Sequence, residues 1–132
     1  YTRQMVEGLF CLALAVYFEA RGEPAAGQLA VAQVVQNRVR SGRYPDSFCE
    51  VVTEARSVGL HRCQFSFFCD GKREAINDDV AWLASRVIAE ASLHVNDITE
   101  GATHYHSTSV DPAWASSMTV TIKIGNHIFY SD

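Results

Sequence analysis

The sequence lacks the features expected of a membrane-spanning or nucleic-acid-binding protein. Its longest apolar run, residues 9–18, is shorter than the roughly 18 residues needed to cross a bilayer. Eleven basic residues against 15 acidic ones give a net charge of −4, which provides no basic surface for nucleic acid. We therefore predict no membrane span and no nucleic-acid partner.

Several catalytic signatures are also missing. There is no GxSxG turn for a serine nucleophile, no HExxH or CxxC pair for zinc, and no cysteine in a recognised catalytic sequence. The remaining metal signal is weak, because only His104 and His106 would share one face of a strand. A third ligand would have to come from His94, His127, Asp111 or Glu100. A zinc-dependent amidase or peptidase using His104 and His106 stays open as an alternative.

The composition is that of one globular domain. The chain has 132 residues, 48% of them hydrophobic and 20% charged, which is enough for one core and argues against disorder. There is no repeat and no linker, so we predict a single domain over residues 1–132. Four cysteines are many for a small cytosolic protein and favour an oxidising compartment.

Helical patterns precede strand patterns along the chain. Apolar spacing and capping residues predict helices over about 2–20, 24–42 and 78–91, and a short one that starts at 45–47. The fourth helix has one apolar face, formed by Val80, Leu83, Ala84, Val87, Ile88 and Ala91. Residues 118–124 alternate as a half-buried strand, and a Gly125–Asn126 turn leads into a second strand. We predict an α+β domain with a small antiparallel sheet near the C-terminus.

Glu19 is the strongest candidate for chemistry. It lies in the last turn of the first predicted helix, on the same face as Leu12, Ala15 and Val16. Burial raises the pKa of a carboxyl group, and a raised pKa suits a general acid near neutral pH. The alternative is a solvated glutamate at a helix end, or one paired with Arg21.

A long stretch without periodicity, residues 55–73, separates the third and fourth helices. Loops of this length in compact domains are usually functional. Within it, Gln64 and Ser66 alternate with Phe65, Phe67 and Phe68. Polar groups among aromatic rings suit a sugar, which has a polar rim and apolar ring faces. The alternative is that the aromatic residues belong to the core and the polar pair is solvated.

Two further groups could line a cleft. Tyr105, His104 or His106 could hydrogen-bond a substrate, although solvated strand histidines are equally compatible with the pattern. Trp114 lies in a loop, where it could stack on a sugar or cover the core.

Five segments carry a family resemblance: 12–24, which contains EARGEP, then 27–39, 63–66, 101–106 and 124–130. Together they cover nearly the whole chain in order and resemble the spore-cortex-lytic, SleB/CwlJ-type family of cell wall hydrolases. The resemblance implies a lysozyme-like, lytic-transglycosylase-like fold and Glu19 as the catalytic acid. By a weaker parallel, Gln64 and Tyr105 face that acid, so we expect both, with His104 or His106, to border its cleft.

The implied activity is cleavage of peptidoglycan between N-acetylmuramic acid and N-acetylglucosamine, with no cofactor. The expected sugar-binding residues are Gln64, Ser66, Phe67, His104, Tyr105, His106 and Trp114. We expect a monomer in the periplasm or outside the cell, or a phage-type lysin delivered to the wall. A glycan-binding domain with an inactive site is the non-enzymatic alternative.

The chain offers only one acid in an apolar, motif-bearing position. Glu23 is expected to cap the second helix or pair with an arginine, and Asp70, Glu100 and Asp111 fall in turns. Hydrolysis of the usual design needs two carboxyl groups, whereas a lytic transglycosylase needs one. We therefore predict transglycosylation, with muramidase-type hydrolysis as the alternative.

The resemblance and the short spacing also favour a disulfide between Cys63 and Cys69. Cys11 is then expected to be a free buried thiol, with Cys49 as the rival partner for either loop cysteine.

Overall fold

The computed structural model describes residues 2–54 and 76–132. Within these ranges, four α-helices precede a three-stranded antiparallel sheet with strand order β1-β3-β2. The elements are α1 (Arg3–Ala20), α2 (Ala25–Ser41), α3 (Phe48–Thr53), α4 (Asp79–Ser92), β1 (His104–Ser107), β2 (Thr119–Ile124) and β3 (His127–Ser131). A short 3₁₀ helix, Ala113–Ser117, lies between β1 and β2. The predicted class and order of elements are confirmed.

The helix ends agree with their local sequence signals. The side chain of Thr2 accepts a hydrogen bond from the Met5 N–H, and that of Asp78 accepts one from the Ala81 N–H. Gly42 ends α2 with a φ of +76°, a left-handed conformation that glycine adopts at little cost. These bounds match the prediction because capping depends on residues within one turn of each other.

Helix α2 is the centre of the domain. Every residue from 30 to 38 is buried, including the polar Gln33, Gln36, Asn37 and Arg38. Helices α1, α3 and α4 pack around it. The sequence predicts an apolar stripe on this helix, but burial extends around its whole circumference.

The buried polar residues of α2 hold the segment that leads into β1. Gln33 donates to the carbonyl of Asn96 at 2.9 Å, and its own amide oxygen accepts from the Ile98 N–H at 3.0 Å. Asn37 reaches the Ala102 carbonyl at 2.8 Å, and Arg38 Nε reaches the Thr103 carbonyl at 2.7 Å. The position of β1 is therefore set from inside the core, a role that the sequence analysis did not predict.

Helix α4 buries small residues, while much of its apolar face is exposed. Its buried residues are Ser85, Ala89 and Ser92, while Val80, Leu83 and Val87 are 80%, 57% and 59% exposed. Small side chains let α4 approach α1 and α2 closely. The serine hydroxyls bond within the helix, Ser85 to the Ala81 carbonyl and Ser92 to the Ala89 carbonyl. Of the apolar face, Ile88 packs against the core as a partly buried residue.

The predicted hairpin is present, with one irregularity. Strands β2 and β3 pair across the Gly125–Asn126 turn, but the register shifts between Val120 and Ile122. Such a bulge breaks the simple alternation of faces. Ile122 and Ile124 consequently pack against the core, while Val120 is 57% exposed. Among the described helices, none is long and apolar enough to cross a membrane.

One disulfide joins α1 to α3. Cys11 and Cys49 are bonded, with their Cα atoms 5.1 Å apart. The expectation that Cys11 is a free thiol was therefore wrong. Cys49 bonds to Cys11 and is not the partner of a loop cysteine. The packing of α3 on α1 brings these two residues together, although they are 38 positions apart in sequence. Cys63 and Cys69 lie outside the described residues.

Replacing both Cys11 and Cys49 with alanine should lower the free energy of unfolding by about 4 kcal/mol, because the bond joins residues 38 positions apart and so restricts the unfolded chain. Urea denaturation of the wild type and the double variant would measure this difference. Peptide mapping without reduction should recover a peptide pair linked through Cys11 and Cys49. A different pairing would contradict the prediction.

Candidate active site

Glu19 lies in the last turn of α1, where the helix leaves the core. Leu12, Ala15 and Val16, its neighbours on the same face, are completely buried, and Glu19 itself is half-buried. The following residue, Ala20, is 1% exposed. The predicted placement of a carboxyl group at the edge of an apolar surface is confirmed, while its catalytic role stays a prediction.

Hydrogen bonds to the Tyr17 hydroxyl hold the residues that flank Glu19. The buried hydroxyl of Tyr17 accepts hydrogen bonds from Arg21 Nη1 and from the backbone N–H groups of Asn77 and Asp78, the latter two at 3.2 and 3.1 Å. The Arg21 guanidinium also lies over the Tyr17 ring, 4.5 Å from its centre. These contacts attach the end of α1 to the start of α4. Arg21 takes part in this attachment through its contacts with Tyr17.

Two predicted site residues on β1 face an aromatic cluster. The His104 and His106 rings lie 5.2 and 5.7 Å from the Trp114 ring. Tyr130, which the sequence analysis missed, stacks on His106 at 5.2 Å, and its hydroxyl lies 2.7 Å from His106 Nε2. Trp114 remains half-buried over this cluster. No signal in the sequence gives the β1–β3 register that brings Tyr130 here.

Tyr105 lies on the opposite face of the sheet. It is 4% exposed and packs against His127 and Phe129, with ring centres 5.1 and 5.6 Å apart. Neighbouring residues of a strand point to opposite faces, so Tyr105 cannot share one surface of β1 with His104 and His106. The structure therefore groups the two histidines with Trp114 and separates Tyr105 from them.

The charge state of this region follows from burial. Burial, and to a lesser extent the nearby Arg38 cation, lower the pKa of His104 to about 4. Burial also lowers the pKa of His127, by more than the Glu23 carboxylate raises it. Both rings are therefore neutral at neutral pH and can donate and accept hydrogen bonds.

The zinc alternative gains no support from these contacts. His106 Nδ1 lies 2.8 Å from the Ser107 carbonyl, and its other ring nitrogen contacts Tyr130. His104 Nδ1 lies 3.0 Å from the Thr103 hydroxyl. Within residues 2–54 and 76–132, no three histidine, cysteine or acidic side chains are grouped as metal ligands.

Glu23 has partners other than those expected. Its carboxylate accepts hydrogen bonds from the backbone and the side chain of Asn126, at 2.8 and 3.2 Å. The N-cap residue of α2 is Pro24, which makes no side-chain hydrogen bond to the helix. The interpretation of Glu23 as a helix cap was wrong, because the turn between β2 and β3 occupies its carboxylate. Gln64, Ser66 and Phe67, the predicted sugar-binding residues of the loop, lie outside the described part of the chain.

Curated relatives match most of the chain. A spore cortex-lytic enzyme from Halalkalibacterium halodurans is 36% identical over 119 residues, which is 89% of this chain and 33% of that protein. One from Bacillus cereus is 33% identical over 119 residues, covering 89% of this chain and 42% of the relative. The chain thus spans about a third to two fifths of the length of these relatives.

Solved structures show the same fold. The catalytic domain of the Bacillus cereus SleB protein matches with a TM-score of 0.74 and 29% identity, covering 99% of this chain and 92% of that one. The catalytic domain of the germination-specific lytic transglycosylase SleB from Bacillus anthracis matches with a TM-score of 0.70 and 26% identity, covering 99% and 97%. The predicted lysozyme-like, helical fold with a small sheet agrees with these matches.

The family model described as Cell Wall Hydrolase matches residues 22–130, from just after Glu19 to the penultimate residue of β3. This interval includes α2, the aromatic cluster of β1 and all but the last residue of the sheet. The chain therefore belongs to the cell wall hydrolase family.

Proposed function

We propose that this domain cleaves the glycan strands of peptidoglycan between N-acetylmuramic acid and N-acetylglucosamine, as a lytic transglycosylase with Glu19 as its single catalytic acid. The observation that carries the proposal is the match to a lytic transglycosylase catalytic domain over 97% of that chain. The position of Glu19 at the exposed end of an otherwise buried helix face supports its role.

The proposed reaction uses the Glu19 carboxyl group twice. It first donates its proton to the glycosidic oxygen, and the bond from that oxygen to C1 of the muramic acid breaks. The ionised carboxylate then removes the proton of the 6-hydroxyl of the same sugar, whose oxygen bonds to C1 and closes a 1,6-anhydro ring. No water is consumed, and Glu19 ends protonated, as it began. The N-acetyl group of the substrate stabilises the positive charge that develops at C1.

The aromatic cluster is the proposed sugar-contacting surface among the described residues. His104, His106 and Trp114 combine ring faces with polar ring nitrogens, a combination that suits the apolar faces and polar rim of a sugar. Tyr105 is buried on the other face of β1, and we propose that its packing there stabilises the strand that carries His104 and His106. Gln64, Ser66 and Phe67 remain proposed contacts from the loop.

The surroundings of Glu23 support a one-acid reaction. Glu23 carries the carboxyl group nearest to Glu19 in the sequence. Asn126 donates a hydrogen bond to each of its two oxygens. A carboxyl group whose two oxygens already accept hydrogen bonds is poorly placed to activate water. Because peptidoglycan lies outside the cytoplasm, the proposed substrate implies that the domain acts at the cell wall.

Digestion of purified peptidoglycan should release muropeptides that end in 1,6-anhydromuramic acid. Mass spectrometry distinguishes them from hydrolysis products, which are heavier by one water. Reduction with borohydride gives a second readout, because reducing ends take up hydrogen and anhydro ends do not. Reducing muramic acid as the dominant product would reject transglycosylation in favour of hydrolysis. Activity lost to a chelator and restored by zinc would instead support the amidase alternative.

A further inference from the structure

The side chain of Glu23 is largely enclosed at the corner between α1 and α2. Its side chain is 11% exposed. Its backbone is held from both sides, because its N–H donates to the Ala20 carbonyl at 2.9 Å and its carbonyl accepts from Gln28 Nε2 at 3.0 Å. Burying a carboxylate is costly unless hydrogen bonds compensate. Such a residue at a solvent-accessible corner therefore requires an explanation beyond helix capping.

The compensating hydrogen bonds come from the turn between β2 and β3. Glu23 Oε1 accepts from the Asn126 N–H, and Oε2 accepts from Asn126 Nδ2, so one residue engages both oxygens. The two segments touch closely. A Cβ atom on Gly125, whose φ is +55°, would lie 2.6 Å from Glu23 Oε1. The turn therefore contacts the Glu23 carboxylate directly. Only glycine at position 125 permits so short a distance between the backbone and Oε1.

The contact continues from the turn into the sheet. His127, 8% exposed, follows Asn126, and its Nδ1 lies 3.9 Å from Glu23 Oε1. The His127 ring packs edge to face on Tyr105, with centres 5.1 Å apart. A shift of the turn would therefore move His127 and, through it, Tyr105. A continuous set of contacts joins the corner after Glu19 to the strand that carries Tyr105.

We infer that Glu23 is a positioning residue, whose carboxylate ties the β2–β3 turn to the corner after Glu19 and so sets the distance between that acid and β1. The inference rests on the proposed function of Glu19. Glu23 does not touch substrate in this account. It acts through Asn126 and His127, and its loss would misplace groups that must be aligned when the glycosidic bond breaks.

The test exchanges the polarity of the hydrogen bonds between Glu23 and Asn126. Asn126→Asp alone places two carboxylates against each other, and Glu23→Gln alone replaces the charged acceptor of the Asn126 side chain with a neutral amide. The double variant, Glu23→Gln with Asn126→Asp, restores both bonds, because Gln donates to the new carboxylate and still accepts from the backbone N–H. Glu7→Gln, an exposed acid near the start of α1, is the matched control.

Kinetics on soluble, uncross-linked glycan strands should show a kcat about tenfold lower in each single variant, with KM nearly unchanged. The double variant should recover most of the lost kcat, and Glu7→Gln should match the wild type. Thermal melts identify an assay temperature at which every variant is folded.

Single variants with the wild-type kcat would overturn the inference, as would a double variant that recovers thermal stability without recovering kcat. Glu19→Gln, assayed in parallel, separates this result from the proposed function. If Glu19→Gln is active, the proposed function fails whatever the Glu23 variants do. If Glu19→Gln is inactive and the Glu23 variants keep the wild-type kcat, only the positioning role fails.

Discussion

Glu19→Gln should lower the rate of glycan cleavage by about a thousandfold. The amide has nearly the same shape as the carboxyl group, but it cannot protonate the glycosidic oxygen or later remove the proton of the 6-hydroxyl. The proposed mechanism assigns both steps to this group, so no second carboxyl compensates. Release of soluble muropeptides from purified walls, quantified by chromatography, measures the effect.

The matched comparison for Glu19→Gln is Glu23→Gln, which removes a carboxylate four residues further along the chain. We expect the Glu23 variant to keep far more activity, since Glu23 positions the turn and does not transfer a proton. The melting temperature of Glu19→Gln should stay close to that of the wild type, because Glu19 lies half-exposed at the end of its helix. An active Glu19→Gln variant would contradict the proposed mechanism.

Asn37→Leu should lower the free energy of unfolding by about 4 kcal/mol, from the loss of several hydrogen bonds and the acceptors left buried without a donor. The Asn37 amide nitrogen lies 2.8 Å from the Ala102 carbonyl, 3.0 Å from Asp97 Oδ2 and 3.1 Å from the Thr99 hydroxyl. Leucine has a similar size but supplies no donor. Denaturant unfolding followed by circular dichroism measures the loss.

Gln4→Leu is the control for this substitution, since Gln4 is an exposed amide residue of α1. It should change stability by less than about 0.5 kcal/mol. A similar small effect for Asn37→Leu would mean that the segment leading into β1 is held by other contacts. Amide hydrogen exchange should show the loss of protection concentrated in residues 99–105.

Local signals predicted the helices well. Thr2 and Asp78 cap helices, and Gly42 ends one, because each effect depends on atoms within one turn of the chain. The Gly125–Asn126 turn is equally local and was equally predictable. These features needed no knowledge of what packs against them.

Features that depend on contacts between distant residues could not be predicted. The apolar face of α4 is visible in the sequence, but the residues that the fold buries on this helix are the small Ser85, Ala89 and Ser92. The Cys11–Cys49 pairing could not be deduced either, because it depends on how α3 lies across α1. Spacing along the chain carries no information about that crossing.

The sequence by itself determined the class of the domain, the helix ends, the hairpin turn and the placement of Glu19 at the end of an apolar helix face. The tertiary structure alone decided that Tyr105 and the two histidines lie on opposite faces of the sheet, that Tyr130 joins His106, and that Asn126 engages Glu23. The physical reason is the range of the interactions. Capping and helical periodicity act over a few residues, whereas strand register and buried hydrogen bonds join positions that only folding brings together.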